Sequence, residues 1–488
     1  MKFVSTRTGI PATAPESVFQ GLAPDGGLFL PVLENLPTSQ PSNLSTLREA
    51  EAFVCNALFG DFPEAVRKDA IDRLLSRFPA EDPIPLVEKD GLHILELFLG
   101  KTGAFKDVAL SMLPVFMRYA ANGKRVLILT ATSGDTGSAA MQGFAGVDGT
   151  EIIVFYPATG TSRIQKLQMT TPSEANVHAV GIRGNFDDAQ AAVKRIFASK
   201  EINDAAANAG ITLSSANSIN TGRLIPQIAY YILAGAKLQS NNPNNQTIKQ
   251  FDVVVPSGNF GNILAAYYAK KLGSPIRKLV VASNVNDVLA RFVKTGVYDP
   301  GDKFTVTNSP SMDIRISSNV ERLLWMINYG GDVSAACAEV SRLMKDLKEK
   351  GRYELNEKAK ARLFADFEGG VATPEETEAE MRRMREACGY LVDPHTAVAT
   401  FVAKKYQNGT LRSPTPTSTS TSTSHFDFPI VVAATATPYK FPETCQRAFG
   451  ADVLTDPPPS FKDLEKLPIA QTRVCDVDKI DAEVTRLF

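Results

Sequence analysis

The sequence predicts an α/β protein with mostly parallel sheets, and three observations predict it. Short apolar runs alternate with helix-length amphipathic stretches along most of the chain. Three of those runs share one layout: a buried strand, a turn of small residues, then a helix. The 488 residues are 44% hydrophobic and 22% charged, enough to bury a large core without staples.

Residues 1–90 form a first region. GLAPDGGLFLP (21–31) holds a Pro-Asp-Gly-Gly turn, and helical patterns follow at 45–59 and 64–77. From about 92 the character changes. HILELFL (93–99) reads as a buried strand and 107–123 as a helix ending on Asn122-Gly123. RVLILTAT (125–132) is a strand whose turn leads into a helix, and EIIVFYP (151–157) is another strand. Helices are expected over 186–202 and 221–238, the second with Pro226 in its first turns or at a kink. Strand, glycine turn and helix recur at 251–273. A helix from 393 to 406 and a strand at 429–438 flank SPTPTSTSTSTS (413–424), a low-complexity segment expected to be a disordered surface loop. The reading divides the chain into 1–90, 91–250 and 251–488.

Bulk properties exclude several functions. A formal net charge of −1 offers no global field for nucleic acid or an anionic membrane. The five cysteines are odd in number and lack CxxC spacing, which suits reduced thiols and no disulfide framework. No apolar run is long enough to span a membrane, and MKFVSTRTGI has neither a signal-peptide core nor a transit-peptide pattern. The expectation is a cytoplasmic protein, a monomer or homodimer, with no nucleic-acid or membrane partner and no metal site.

The three strand–turn–helix segments carry the chemistry. Ser257-Gly258-Asn259-Phe260-Gly261-Asn262 offers successive N–H groups that suit a phosphate, although a plain tight turn would use the same glycines. It is neither a P-loop nor the dinucleotide GxGxxG. Ser133-Gly134-Asp135-Thr136 at another helix start suits a carboxylate, or simply caps the helix. Lys106 stands at a helix N-terminus, where the macrodipole opposes its charge and favours Schiff-base chemistry; a surface pair with Asp107 is the plain alternative. A lysine, a carboxylate cradle and a phosphate cradle are what a pyridoxal 5′-phosphate (PLP) enzyme needs for an amino-acid substrate. Thr435 or Thr437, ending the strand at 429–438, could face the pyridine nitrogen as a neutral hydroxyl.

At this point the sequence resembles the long form of the threonine synthase family. Phe3-Val4-Ser5-Thr6-Arg7, GLAPDGGLFLP, GAFKD (103–107), ATSGDTGSAA (131–140), QMTT (168–171), NSIN (217–220), VVPSGNFGN (254–262), SMDIRISSNVERLLW (311–325) and DPHTAV (393–398) follow in that family's order. The resemblance implies a fold type II (tryptophan synthase β-like) PLP enzyme, with two interleaved α/β domains and an N-terminal domain. It implies conversion of O-phospho-L-homoserine and water to L-threonine and phosphate. By the same resemblance, Lys106 is the Schiff-base lysine and proton shuttle. Gly258, Asn259, Phe260, Gly261, Asn262 and Thr435 bind the cofactor. Ser133, Gly134, Asp135, Thr136, Asn217 and Asn220 bind the substrate. The substrate phosphate needs a second anion site, for which Arg163, Lys166, Arg223 and Arg315 or Arg322 are the basic candidates by residue type, with Arg163 and Arg223 taken as substrate-binding.

The chain departs from that family's pattern at several positions. Leu99 and Thr437 stand where histidines are usual, Lys101 where proline is, and Asn262 where aspartate is. These changes are expected to flank the substrate side. They keep open a phospho-lyase giving 2-oxobutanoate and ammonia, or a specialised-metabolism enzyme working through a vinylglycine-type intermediate.

Overall fold

The computed structural model describes residues 2–34, 37, 39, 44–240, 248–411, 428–450 and 453–488. The Ser/Thr-rich insert at 413–424 lies outside the described residues.

Three short antiparallel strands open the chain, β1 (Phe3–Ser5), β2 (Pro11–Ala12) and β3 (Phe29–Pro31), in the order β2-β1-β3. The helices Leu47–Leu58 and Glu64–Ser76 follow, the first started by a Thr46–Glu49 capping box. Their apolar faces join the main core of the molecule. Phe59, Phe62 and Phe116 meet there at ring separations of 4.8–5.3 Å. The N-terminal region therefore packs on the helix that carries Lys106.

β4 (Leu86–Lys89) and β5 (Leu92–Glu96) form a hairpin. Its turn residues Asp90 and Gly91 are left-handed (φ 52° and 70°), as a two-residue hairpin turn demands. β6 (Arg125–Ala131), β7 (Thr150–Pro157), β8 (Val177–Arg183) and β9 (Ile211–Ser215) pair in parallel in the order β8-β7-β6-β9. β10 (Phe251–Pro256) and β11 (Ile276–Ser283) begin a second parallel sheet. β12 (Val297–Tyr298) and β13 (Tyr353–Glu354) make a small antiparallel pair. β14 (Phe367–Val371) and β15 (Ile430–Ala434) then complete the order β14-β11-β10-β15-β5-β4. β16 (Arg473–Asp476) returns to the edge of the first sheet beside β8.

The two α/β sheets are thus interleaved in sequence: the hairpin β4–β5 joins the later sheet, and the last strand joins the earlier one. Two expected helices are subdivided. The stretch expected as one helix over 186–202 ends at Ala198, and Ser199 caps a second helix, Lys200–Asn208. The stretch over 221–238 is split into Thr221–Leu224 and Gln227–Ser240, because Pro226 has no N–H to continue the ladder. The Lys106 helix runs Lys106–Ala121 and ends on left-handed Asn122. Among the described residues, no helix is long and apolar enough to cross a membrane.

Candidate active site

The carboxyl ends of strands from both sheets surround one cavity of about 770 Å³. Ala131, Pro157 and Ile182 reach it from one sheet, Pro256 and Thr435 from the other. Ligands of open α/β sheets sit at such strand ends.

Lys106 is the first residue of its helix. The turn before it is fastened to the exit of β15 by an Ala104–Ala436 bridge and by the Phe105 N–H on the Thr435 carbonyl (2.9 Å). Gly103 is left-handed (φ 69°), and a Cβ there would meet Thr437 at 2.5 Å. Asp107 does not pair with Lys106. Its carboxylate closes the turn by accepting from the Thr102 N–H (2.8 Å) and hydroxyl (2.6 Å). Lys106 Nζ instead lies 3.1 Å from Asp135 Oδ2. Burial pushes the Lys106 amine below its ordinary value; Asp135 opposes that shift, while Arg223 and Lys440 reinforce it.

Ser133, Asp135 and Thr136 line the cavity. Gly134 forms the turn beneath them, where a Cβ would lie 2.5 Å from the Gln165 carboxamide. The Thr132 hydroxyl accepts from the N–H groups of both Gly134 and Gly137 (2.9 and 3.0 Å). Asp135 is buried and takes Lys106 and Ser311 on one oxygen, Gln165 and Lys440 on the other. Burial works against its ionisation. Lys106, Lys440 and His395 more than offset that and hold its carboxyl well below the usual range.

Across the cavity, Ser257–Asn262 wraps into the start of the helix Gly261–Lys271. Phe260 is left-handed (φ 62°), which turns successive N–H groups toward one point. A Cβ on Gly258 would sit 2.4 Å from the Ser311 carbonyl, so only glycine fits. The hydroxyls of Tyr230 and Tyr231 both donate to Asn262 Oδ1 (2.8 and 2.6 Å). Asn262 Nδ2 is buried without a partner. An unmatched donor at a helix N-terminus of this length fits a phosphate group, so the donor set agrees with PLP. Thr435 completes the wall.

The remaining expected residues divide. Arg223 is buried on the cavity wall with its Nη1 on the Ala216 carbonyl and its Nε unpartnered, and burial lowers it to about 10. Asn217 reaches the cavity while bracketing Ala131 through both its N–H and carbonyl. Asn220 does not line the cavity. It is fully buried, donates to the Val18 and Ser215 carbonyls and caps Gly222. Arg163 does not line it either, its half-exposed side chain pairing with Glu465 at 2.5 Å. Arg322 is buried on the Phe29, Ser218 and Ile219 carbonyls, and Arg315 contacts the Gly301 carbonyl. Leu99 packs against the main core, and neither it, Lys101 nor Thr437 lines the cavity. Three of the departures expected to flank the substrate therefore do not line the cavity; Asn262 alone of the four named does.

Sequence reasoning did not single out His395, Ser311, Gln165 or Lys440. His395 lines the cavity, with Nδ1 on Asp393 (2.7 Å) and Nε2 accepting the Ser311 N–H (3.1 Å). The Asp393-Pro394-His395 helix start was a signal that could have found it.

The family model described as pyridoxal-phosphate dependent enzyme matches residues 79–365. Models for the threonine synthase N terminus and C-terminal part match 2–74 and 396–486. The threonine synthase of Saccharomyces cerevisiae is 38% identical over 437 residues, covering 82% of each chain. The crystal structure of PLP-bound threonine synthase from Brucella melitensis matches with a TM-score of 0.85 and 35% identity, over 100% of this chain and 99% of that one. The yeast threonine synthase structure matches at 0.86 and 32%, over 99% and 98%.

Proposed function

The chain belongs to the threonine synthase family, and from that premise we infer that it converts O-phospho-L-homoserine and water to L-threonine and phosphate, with PLP as cofactor. The observation that carries the residue assignment is that Lys106, the Ser133–Thr136 loop and the Ser257–Asn262 cradle line one cavity.

The cradle of Gly258, Asn259, Phe260, Gly261 and Asn262 would hold the cofactor phosphate, with Thr435 as a neutral partner for the ring nitrogen. Lys106 would bind the cofactor. When bound, PLP supplies an electron sink beside the substrate Cα. The Lys106 amine, made less basic by burial, takes the Cα proton and later returns one. The N–H groups and hydroxyls of Ser133 and Thr136 orient the substrate carboxylate at their helix start. Arg223 is the buried cation on the wall for the substrate's second anion. Walls drawn from both sheets limit bulk water around the reacting carbons. The N-terminal region 1–90 is kept as a domain in this reading, supported by the N-terminal match over 2–74. A cytoplasmic setting is supported by five unpaired cysteines. A monomeric or homodimeric state is checked by light scattering.

Product analysis with O-phospho-L-homoserine tests the assignment. Threonine and phosphate in equal amounts are expected. Mainly 2-oxobutanoate and ammonia would overturn it in favour of a lyase.

A further inference from the structure

Two lysines grip one carboxylate at the cavity wall. Lys106 Nζ lies 3.1 Å from Asp135 Oδ2, and Lys440 Nζ lies 3.3 Å from Asp135 Oδ1. The Lys440 side chain has 0% exposure and does not line the cavity. Its ammonium also donates to the Thr102 carbonyl (2.7 Å) and to Gln168 Oε1 (2.8 Å). Its own carbonyl accepts from the Ser162 hydroxyl (2.7 Å). Thr102 belongs to the turn before Lys106, whereas Ser162, Gln168 and Asp135 belong to segments that follow strands of the five-stranded sheet. Lys440 is therefore held from both sides.

A buried charge is costly, and a simple tie between Thr102 and Gln168 would need only a neutral donor. Gln168 Nε2 already reaches the Thr102 carbonyl at 3.2 Å. The charge of Lys440 needs its own reason, and Asp135 supplies it.

We propose that Lys440 is a positioning residue, the standing counter-ion that keeps Asp135 ionised and in place whenever the Lys106 amine is neutral or engaged elsewhere. With both lysines protonated the trio carries one surplus positive charge. With Lys106 neutral, Lys440 and Asp135 balance. Without Lys440, a neutral Lys106 would leave Asp135 as a lone buried carboxylate, so Asp135 would hold the proton on Lys106 or take one itself. Lys440 thus frees Lys106 to gain and lose its proton.

The other charged groups around the cluster do not substitute for it. Arg223 faces Lys106 and disfavours its charge, as Lys440 does. Asp107, next to Lys106, faces Lys440 but is bonded to Thr102. His395 faces Asp135, yet both ring nitrogens are taken by Asp393 and the Ser311 N–H.

The inference rests on Lys106 as the reacting amine. It is tested on the cofactor-free full chain by competitive acetylation across pH, reading the Lys106 peptide by mass spectrometry. Lys440→Met removes a like charge beside Lys106 and leaves Asp135 to that amine alone. The labelling midpoint should rise by about one pH unit. Asp135→Asn should lower it, because the favourable partner is lost while Lys440 remains. Lys440→Gln keeps a donor for the Thr102 carbonyl without the charge and should raise the midpoint as Met does. It carries the test if the Met variant fails to fold. A wild-type midpoint in Lys440→Gln, or a fall in Tm with no shift in either variant, would reduce Lys440 to a structural tie and overturn the proposal. Failure of the Lys106 assignment shows separately, as a PLP-loaded wild type without a borohydride-sensitive band near the visible edge.

Discussion

The phosphate cradle and the Lys106 cluster face each other across one cavity but are built in opposite ways. The cradle is a single stretch, Ser257–Asn262, lying between β10 and the helix it starts. In the proposed function, its hold on the cofactor phosphate would come from its own backbone N–H groups and one side-chain amide. The cluster is assembled from Lys106, Asp135, Gln165, Ser311 and Lys440, which lie far apart in sequence. Its behaviour comes from burial and from which charges the fold brings together. A local site should fail locally when changed; an assembled one should transmit each change to its partners.

The largest effect tests that separation directly. Lys106→Ala should lower turnover by about 10³-fold or more, since it removes the group proposed to move the Cα proton. The cradle should survive it. Equilibrium dialysis should still detect PLP on the variant, without the borohydride-sensitive band. Complete loss of PLP binding would show that the cradle depends on the cluster and would break the comparison. Gly258→Ala is the converse. Its methyl would meet the Ser311 carbonyl at 2.4 Å, so cradle or loop must shift. PLP affinity should fall on the order of 10- to 100-fold, the equivalent of about 1.4–2.8 kcal/mol. The Lys106 labelling midpoint should move little, although Ser311 also donates to Asp135.

The same contrast explains what the sequence made legible. The cradle and the position of Lys106 could be read because strand, small-residue turn and helix lie consecutively. The pairing of β15 with β5 joins residues near 432 to residues near 94, and no local pattern carries that register. β14 was missed for a physical reason: FEGGV reads as a turn. Gly369 and Gly370 are needed there because a Cβ would meet Val293 at 2.8 Å and Val402 at 2.7 Å. Lys440 lies two residues past the expected strand at 429–438, and only the fold shows its ammonium beside Asp135. Arg163 and Asn220 were chosen by residue type and motif, and type alone does not reveal that one faces Glu465 and the other is occupied by backbone.

A smaller effect sharpens the local half of the comparison. Tyr231 donates to Asn262 Oδ1 at 2.6 Å, which fixes the carboxamide whose Nδ2 has no partner. Tyr231→Phe leaves Tyr230 still holding that oxygen. PLP affinity, read by titration of absorbance, should fall by about 5-fold, in keeping with one buried hydrogen bond near 1 kcal/mol. Tyr230→Phe added to it should lower affinity further. No change in the double variant would mean that Asn262 needs no orientation to serve the cradle.

The smallest effect marks where both regions end. Arg163 begins a helix whose first turn carries Gln165, a direct partner of Asp135, so it is close in sequence to the cluster. Its guanidinium, however, pairs with Glu465 at the surface, and both side chains are more than half exposed. Such pairs contribute about 0–1 kcal/mol because water screens them. Arg163→Ala should therefore change KM for O-phospho-L-homoserine by less than about 2-fold and leave the Lys106 labelling midpoint in place. A rise in KM of about 10-fold or more, with kcat kept, would mean that Arg163 leaves Glu465 for the substrate phosphate. The anion site would then be assembled on binding, like the cluster and unlike the cradle, and Arg163 would share the substrate phosphate with Arg223 of the cavity wall.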